Sequence, residues 1–100
     1  DSATTGYIQI GDGDTASVVG VYGGAKPLYF AQNSVTAMTL DSSGNFGVGT
    51  ATPARKLHVN AVMRLEPTTT PSSPSAGDIY FDSGTSKLRC YDGSLWQDCF

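Results

Sequence analysis

The final segment, Asp78–Phe100, constrains the fold most, because it has the pattern of three short strands that cannot fold alone. An Asp92-Gly93 pair between strand-like runs predicts a two-residue hairpin turn, which places Arg89 opposite Trp96. An earlier turn at residues 83–86 places Phe81 opposite Leu88. One face of this meander is then apolar and predicted to be core: Ile79, Phe81, Leu88, Cys90 and Leu95. So short a sheet falls below the roughly 40 residues under which domains need a staple or partner, so we expect a second copy to cover it.

The opposite face of the meander is predicted to be surface. It carries a cation–π row of Tyr80, Arg89 and Trp96, and a row of alternating charges formed by Asp82, Lys87 and Asp98. Exposed aromatic rings beside polar groups are how shallow sites hold sugars. The candidate ligand-binding residues are Tyr80, Arg89, Tyr91, Asp92 and Trp96, with Phe100 as a further exposed ring. For any single aromatic residue, packing is the favoured interpretation, in which Trp96 lies over Arg89 and the neighbouring chain.

The composition favours an all-β fold. Only 15% of residues are charged, there are 12 glycines, and long runs of helix-forming residues are missing. The formal charge of −3 and the lack of a basic cluster longer than Arg55-Lys56 argue against nucleic acid as a partner. No apolar run approaches the roughly 20 residues of a membrane span, so membrane insertion is not expected.

Two cysteines, Cys90 and Cys99, are the disulfide candidates and point to an oxidising compartment. In the tight-hairpin register, Cys99 lies four positions beyond the residue opposite Cys90, or roughly 13 Å away at ~3.3 Å per residue. A disulfide requires Cα atoms within about 7 Å. Either the chain end curls back to close the bridge within one chain, or the bridge joins adjacent copies, which the spacing slightly favours.

The first half reads as short strands punctuated by glycine. The predicted strands are Tyr7 to Ile10, Ser17 to Tyr22, Leu28 to Ala31, Ala37 to Leu40 and Phe46 to Val48. Glycine inside strands leaves a thin core, so lateral association is expected to stabilise this half. The Asp12-Gly-Asp14 loop offers two carboxylates to calcium, but it lacks the rest of an EF-hand and is better explained as a solvated turn.

Over residues 56–66, Leu57, Val59, Ala61, Met63 and Leu65 alternate with residues that are all polar except Val62. This alternation predicts one long strand of roughly 36 Å at ~3.3 Å per residue. No matching long strand exists to cover its apolar face. Three copies packed around a common axis would bury that face, and the predicted trimer core is Leu57, Val59, Ala61, Met63 and Leu65.

Three segments follow from these patterns: a β-rich trimeric stalk over residues 1–66, a Pro/Ser/Thr linker over 67–77, and a β-meander tip over 78–100. The linker contains three prolines among small polar residues, which favours extended backbone without hydrogen-bonded partners.

Two motifs stand out in the sequence: Leu40-Asp-Ser-Ser-Gly-Asn-Phe-Gly-Val-Gly-Thr50 with Lys56-Leu-His-Val-Asn60, and the terminal segment from Pro74 to Asp98. The first resembles a pattern of trimeric phage tail fibres and tailspikes, which usually have "GNVGIGT" followed by "KLHVNG". The second is similar to modules at the ends of such fibres and to fibre-like bacterial surface adhesins. The resemblance covers roughly residues 35–100 and implies an intertwined all-β homotrimer. Gly47 and Gly49 would then lie where three backbones converge.

The function implied is non-enzymatic adhesion of an extracellular, cell-surface or virion fibre to a surface ligand, most plausibly a glycan. The alternatives are a purely structural connector in the fibre shaft and a fragment of a glycan depolymerase. No cofactor, metal or catalytic residue is predicted. His58 is the sole histidine and lies on the polar side of a strand, where a surface or inter-subunit hydrogen bond is the expected role.

Overall fold

The structure is a computed structural model, which describes residues 7–12 and 17–100. The described residues form strands and no helix, which confirms the all-β prediction, and their strands are arranged in three sheets. The strands are β1 (Tyr7–Asp12), β2 (Ser17–Tyr22), β3 (Leu28–Gln32), β4 (Val35–Leu40), β5 (Phe46–Val48), β6 (Leu57–Val59), β7 (Ile79–Asp82), β8 (Lys87–Tyr91) and β9 (Trp96–Asp98). All five strands predicted in the first half are present.

The chain divides into two compact units, Asp1–Val62 and Met63–Phe100. The first unit begins with an antiparallel hairpin of β1 and β2, in which Ile10 pairs with Val19. Of the predicted Asp12-Gly-Asp14 turn, Gly13 and Asp14 lie outside the described residues.

A four-stranded sheet of order β3-β4-β5-β6 makes up the rest of the first unit. Asn33 and Ser34 join β3 to β4 with φ angles of 53° and 65°, the left-handed pair expected of a tight hairpin turn. Asp41 builds the predicted turn before β5, because its Oδ1 accepts the backbone N–H groups of Ser43 (2.9 Å) and Asn45 (2.8 Å). Strand β6 then pairs parallel to β5.

The loop between β5 and β6 lies over Gly47, and this close approach requires a glycine. A Cβ atom at Gly47 would lie 2.8 Å from the Thr50 carbonyl oxygen and 3.2 Å from the Cβ of Pro53. Thr39, directly across from Gly47, is fully buried. A contact within one chain therefore explains this glycine, without the convergence of three backbones predicted from the sequence.

The long strand predicted over residues 56–66 is wrong. Strand β6 ends at Val59, and Ala61 has a φ of 92° that no continuing strand adopts. The neighbouring strand β5 is only three residues long, because the next residue, Gly49, has a φ of 78° and does not continue the strand. Beyond Val59 the alternating segment pairs with no strand in the part of the chain that the structure describes, and Met63 is 54% exposed.

The second unit contains an antiparallel sheet of order β7-β8-β9, which confirms the predicted three-stranded meander. Phe81 lies opposite Leu88, as predicted, but the second hairpin is shifted by two residues: Arg89 lies opposite Asp98, and not opposite Trp96. The connection is a four-residue loop, because the Asp92 carboxylate Oδ1 accepts the N–H groups of Ser94 and Leu95, both at 2.8 Å. This side-chain bonding replaces the predicted two-residue turn.

The shift closes the disulfide within one chain. The residue opposite Cys90 is Gln97, so Cys99 lies only two positions beyond it. The Cα atoms of Cys90 and Cys99 are 5.2 Å apart, and the two sulfur atoms are bonded. The preference for a bridge between copies was wrong, because it depended on the tight-turn register.

Residues 67–77, which we call the strap, pack along the edge of β7. The Thr68 N–H donates to the Phe81 carbonyl oxygen and the Ser83 N–H donates to that of Thr68, both at 2.9 Å. The Gly77 N–H donates to the Tyr91 carbonyl oxygen at 2.9 Å. The expectation of backbone without hydrogen-bonded partners is wrong here, because β7 is an edge strand whose free polar groups the strap satisfies.

The strap buries Tyr80, which was predicted to lie on the surface face of the meander. Its Thr70 hydroxyl lies 3.0 Å from the Tyr80 hydroxyl, and Tyr80 is only 7% exposed. On the face predicted to be core, Ile79 is 50% exposed, and the loop residue Leu95 is 64% exposed. Phe81, Leu88 and Cys90 of the predicted core are partly buried, as are Arg89 and Trp96 of the other face, so the prediction of burial fails mainly at Tyr80, Ile79 and Leu95.

Candidate functional site

Three of the predicted ligand-binding residues form one aromatic cluster in the second unit. The Trp96 ring stands edge-on to Tyr80, with centroids 4.7 Å apart and an interplanar angle of 74°, and it meets Tyr91 at 5.1 Å. Trp96 and Tyr91 are cross-strand neighbours, and both are partly exposed. Edge-on and tilted contacts of this kind stabilise ring pairs by about 0.5–1.5 kcal/mol beyond burial, so the three rings form a packed cluster.

Arg89 is held beside this cluster by directed bonds. Its Nη2 donates to the Trp96 carbonyl oxygen at 2.9 Å, and its Nη1 forms an ion pair with Asp98 Oδ1 at 3.0 Å. Lys87 Nζ lies 3.0 Å from the other Asp98 oxygen. These three residues make up a mixed charged row along β8 and β9, as the sequence predicted for Lys87 and Asp98, with Arg89 added by the register shift.

Asp92 lies in the loop between β8 and β9, and both of its carboxylate oxygens accept hydrogen bonds from nearby groups. Its Oδ1 holds two backbone N–H groups, and its Oδ2 accepts from Gln97 Nε2 at 3.1 Å. The Leu95 and Ser94 N–H groups, and then Gln97, lower the pKa of Asp92, since each bond favours the charged carboxylate. The residue therefore shapes the loop beside Tyr91 and keeps a fixed negative charge there.

Other polar candidates also have structural partners. The Ala54 N–H donates to Nδ1 of His58 at 3.0 Å, which ties the β5–β6 loop to β6. The pKa of Asp82 is lowered by the Gly84 N–H and then the Thr85 hydroxyl. Among the described residues, no group of three His, Cys, Asp or Glu side chains is arranged to hold a metal ion. The described residues also form no helix able to span a membrane.

The second candidate site is an apolar face of the four-stranded sheet, and sequence analysis missed it. Cross-strand pairing places two four-residue rows on one side: Leu28, Leu40, Phe46 and Leu57, then Phe30, Met38, Val48 and Val59. None of the eight is fully buried, and Leu57 (58%), Phe30 (45%) and Leu40 (42%) are the most exposed. We call these eight residues the apolar face. The β5–β6 loop covers the opposite side of the sheet.

Of the predicted trimer core, two residues belong to this apolar face. Leu57 and Val59 lie in β6, whereas Ala61, Met63 and Leu65 follow the strand. The signal for the whole face was the alternation of large apolar residues with Thr, Ala and Gly in β4 and β5, which short strands made easy to overlook.

Comparisons with protein-family models, with curated proteins and with solved structures found no match for this chain. The resemblance to tail fibres stays a prediction.

Proposed function

We propose that this chain is a non-enzymatic module at the end of an extracellular trimeric fibre, on a cell surface or virion, that attaches the fibre to a surface glycan. The observation that carries the proposal is the apolar face of the four-stranded sheet. Contiguous exposed apolar patches mark interaction sites, and eight side chains in two ordered rows make such a patch. A second and third copy of the chain are the proposed cover, which corresponds to the trimer implied by the fibre-like motifs.

Burial of the apolar face gives assembly a physical reason. Each large apolar side chain that leaves water contributes about 1.5–3 kcal/mol when fully buried, and the chain offers little other core. Among the described residues, the only large hydrophobic side chain below one-tenth exposure is Tyr80. Association would therefore supply the core that one copy lacks.

The adhesive role draws on the partly exposed rings of the aromatic cluster. Partly exposed Trp96 and Tyr91 rings lie next to the Asp92 loop, and ring stacking with flanking polar groups suits the C–H faces of sugars. Single shallow sites bind weakly, but three sites on one fibre end gain strength by avidity. A glycan array probed with the assembled protein tests the role: binding that a Trp96→Ala variant loses supports it, and the absence of binding to any glycan contradicts it.

The connector alternative has its own supporting observation. Tyr80 contacts the strap, Arg89 bonds to Trp96 and Asp98, and the Asp92 oxygens bond within the loop. Three of the five predicted binding residues therefore act within the chain. A connector would form the trimer but bind no glycan on the array.

Glycan depolymerase activity stays the second alternative. It predicts release of sugar by the protein, which Asp or Glu substitutions would abolish without unfolding it.

A further inference from the structure

Residues 61–66, which we call the exposed segment, follow strand β6 and form no strand of their own. They make no main-chain hydrogen bond to the part of the chain that the structure describes, whereas the Asn60 N–H before them and the Thr68 N–H after them both donate one. Five of the six residues are exposed, and Leu65 is partly buried. Proteases cut folded proteins at such segments, because they bind the substrate as an extended chain with free main-chain groups.

Arg64 gives the exposed segment a residue that a protease can recognise. Its side chain is 74% exposed, and it pairs at 3.3 Å with Glu66, whose side chain is 83% exposed. An ion pair as exposed as this one is weak, so the guanidinium group can leave Glu66 for a better partner. The carboxylate in the specificity pocket of a trypsin-type protease is such a partner, because it binds a basic side chain away from water.

The other basic residues of the chain lie in bonds that are harder to reach. They are Lys26, Arg55, Lys56, Lys87 and Arg89. Lys26 precedes a proline, which has no main-chain N–H group and a fixed φ. The Lys56 carbonyl oxygen accepts the Phe46 N–H at 2.8 Å, which holds Lys56 and its bond to Arg55 beside β5. The last two lie in β8, the central strand of its sheet. Arg64 is therefore the basic residue that needs the least opening of the fold before cleavage.

We propose that the peptide bond between Arg64 and Leu65 is a cleavage site for a trypsin-type protease, which releases residues 65–100. Hydrolysis breaks the C–N bond, and water supplies a hydroxyl group to the Arg64 carbonyl carbon and a proton to the Leu65 nitrogen. Both bridged cysteines lie after the cut, so no disulfide holds the two pieces together. The released piece keeps the strap, the three-stranded sheet and the aromatic cluster.

Cleavage would separate the proposed adhesive site from the proposed assembly site. The apolar face stays on residues 1–64, and no residue of the exposed segment belongs to it, so assembly through that face does not require the burial of Arg64. A fibre end cut here would keep its assembly and lose its attachment to the surface. This consequence rests on the proposed function, whereas the cleavage site does not.

Limited digestion of the intact, oxidised protein with trypsin, followed over time by mass spectrometry, tests the site. We expect the first products to be residues 1–64 and 65–100, formed about tenfold faster or more than any other cut, because the other bonds must first open. Arg64→Gln should slow this first cut by about tenfold or more, and Arg64→Lys should restore it, since lysine carries the same charge. Arg55→Gln is the matched control, because it removes another exposed arginine and should leave the first cut unchanged.

The masses decide the cleavage site independently of glycan binding. A first cut at any other residue, or an Arg64→Gln variant that is cut as fast as the natural chain, would overturn the site and leave glycan adhesion standing. Co-elution of the two pieces in size-exclusion chromatography would overturn the release of residues 65–100.

The glycan array then tests the consequence for adhesion. After removal of the released piece, the remaining residues 1–64 should bind no glycan. If they keep the binding of the intact protein, the masses still support the cleavage site, and the aromatic cluster is not the glycan site. If the intact protein itself binds no glycan, adhesion fails, and a first cut at Arg64 still supports the cleavage site.

Discussion

Cys99 lies diagonally across from Cys90, with 5.2 Å between their Cα atoms, because the four-residue Asp92 loop shifts the last hairpin by two residues. The bridge ties the three-residue strand β9 to β8 close to the chain end. It staples a unit too small to hold its strands by burial alone.

Reduction of this disulfide should destabilise the second unit by about 2–3 kcal/mol, the loop entropy expected for so short a closed loop. The measurement is urea unfolding followed by fluorescence of Trp96, the sole tryptophan, with and without reductant. The double variant Cys90→Ser/Cys99→Ser is the control, and it should not respond to reductant. On non-reducing gels the oxidised protein should run as a single chain, whereas disulfide-linked dimers or trimers would contradict the intrachain bridge.

The hydroxyl contact between Thr70 and Tyr80 should anchor the strap. Tyr80→Phe and Thr70→Val each remove one partner, and we expect each to cost about 1 kcal/mol of unfolding free energy. The double variant should lose clearly less unfolding free energy than the sum of the two single variants, since the same hydrogen bond is lost in each of the three proteins. Additive effects in this cycle would show that the strap does not depend on the contact.

The Asp92 loop should make the second unit sensitive to acid. Because hydrogen bonds lower the folded-state pKa of Asp92, its contribution is fully present above the unfolded pKa of about 3.9 and is lost as pH falls through the lower folded value. Thermal unfolding from pH 7 to pH 2, again followed by Trp96, should show a midpoint that falls below about pH 4. Asp92→Ala should lower the midpoint at pH 7 and reduce its acid dependence. Glu66→Gln, in an exposed ion pair, should keep the wild-type profile.

Gly47→Ala should destabilise the first unit by about 1–3 kcal/mol, because the added methyl group overlaps the Thr50 carbonyl oxygen. Gly11→Ala is the matched control, since nothing lies within 4 Å of a Cβ atom there. Chemical unfolding followed by circular dichroism measures both. Equal stability of the two variants would mean that the β5–β6 loop does not pack on Gly47 as described.

The sequence predicted the strands well where local chemistry decides them. The β-branched and aromatic residues of β2, the Asp41 turn and the alternation in β7 and β8 all point to structure without information from elsewhere in the chain. The predictions failed where a side-chain hydrogen bond or a distant segment of the chain changes the local structure. The Asp92 carboxylate can either begin a tight turn or cap a longer loop, and the sequence alone does not separate these options.

Contacts between distant parts of the chain also determine where the predicted long strand ends and how deeply Tyr80 is buried. The alternation from Leu57 to Leu65 needs a paired strand to become a β-strand, and β5 ends too early to supply it. Tyr80 was predicted to be exposed because no local pattern reveals that Thr70 of the strap lies against it. Tyr80 and Tyr91 do contact Trp96, but the degree of their burial could not be predicted, and their role in binding stays a prediction.

The most direct test of the account is the mass of the protein in solution by sedimentation equilibrium, for the natural chain and two neighbouring variants. We expect three times the 10.4 kDa chain mass at micromolar concentration. Phe30→Asp places a carboxylate on the apolar face and should yield single chains, because burial would desolvate that charge. Tyr29→Asp, equally exposed on the opposite side of β3, should leave the assembly intact. A natural chain that stays at the mass of one copy, or equal behaviour of the two variants, would contradict the trimer built on the apolar face.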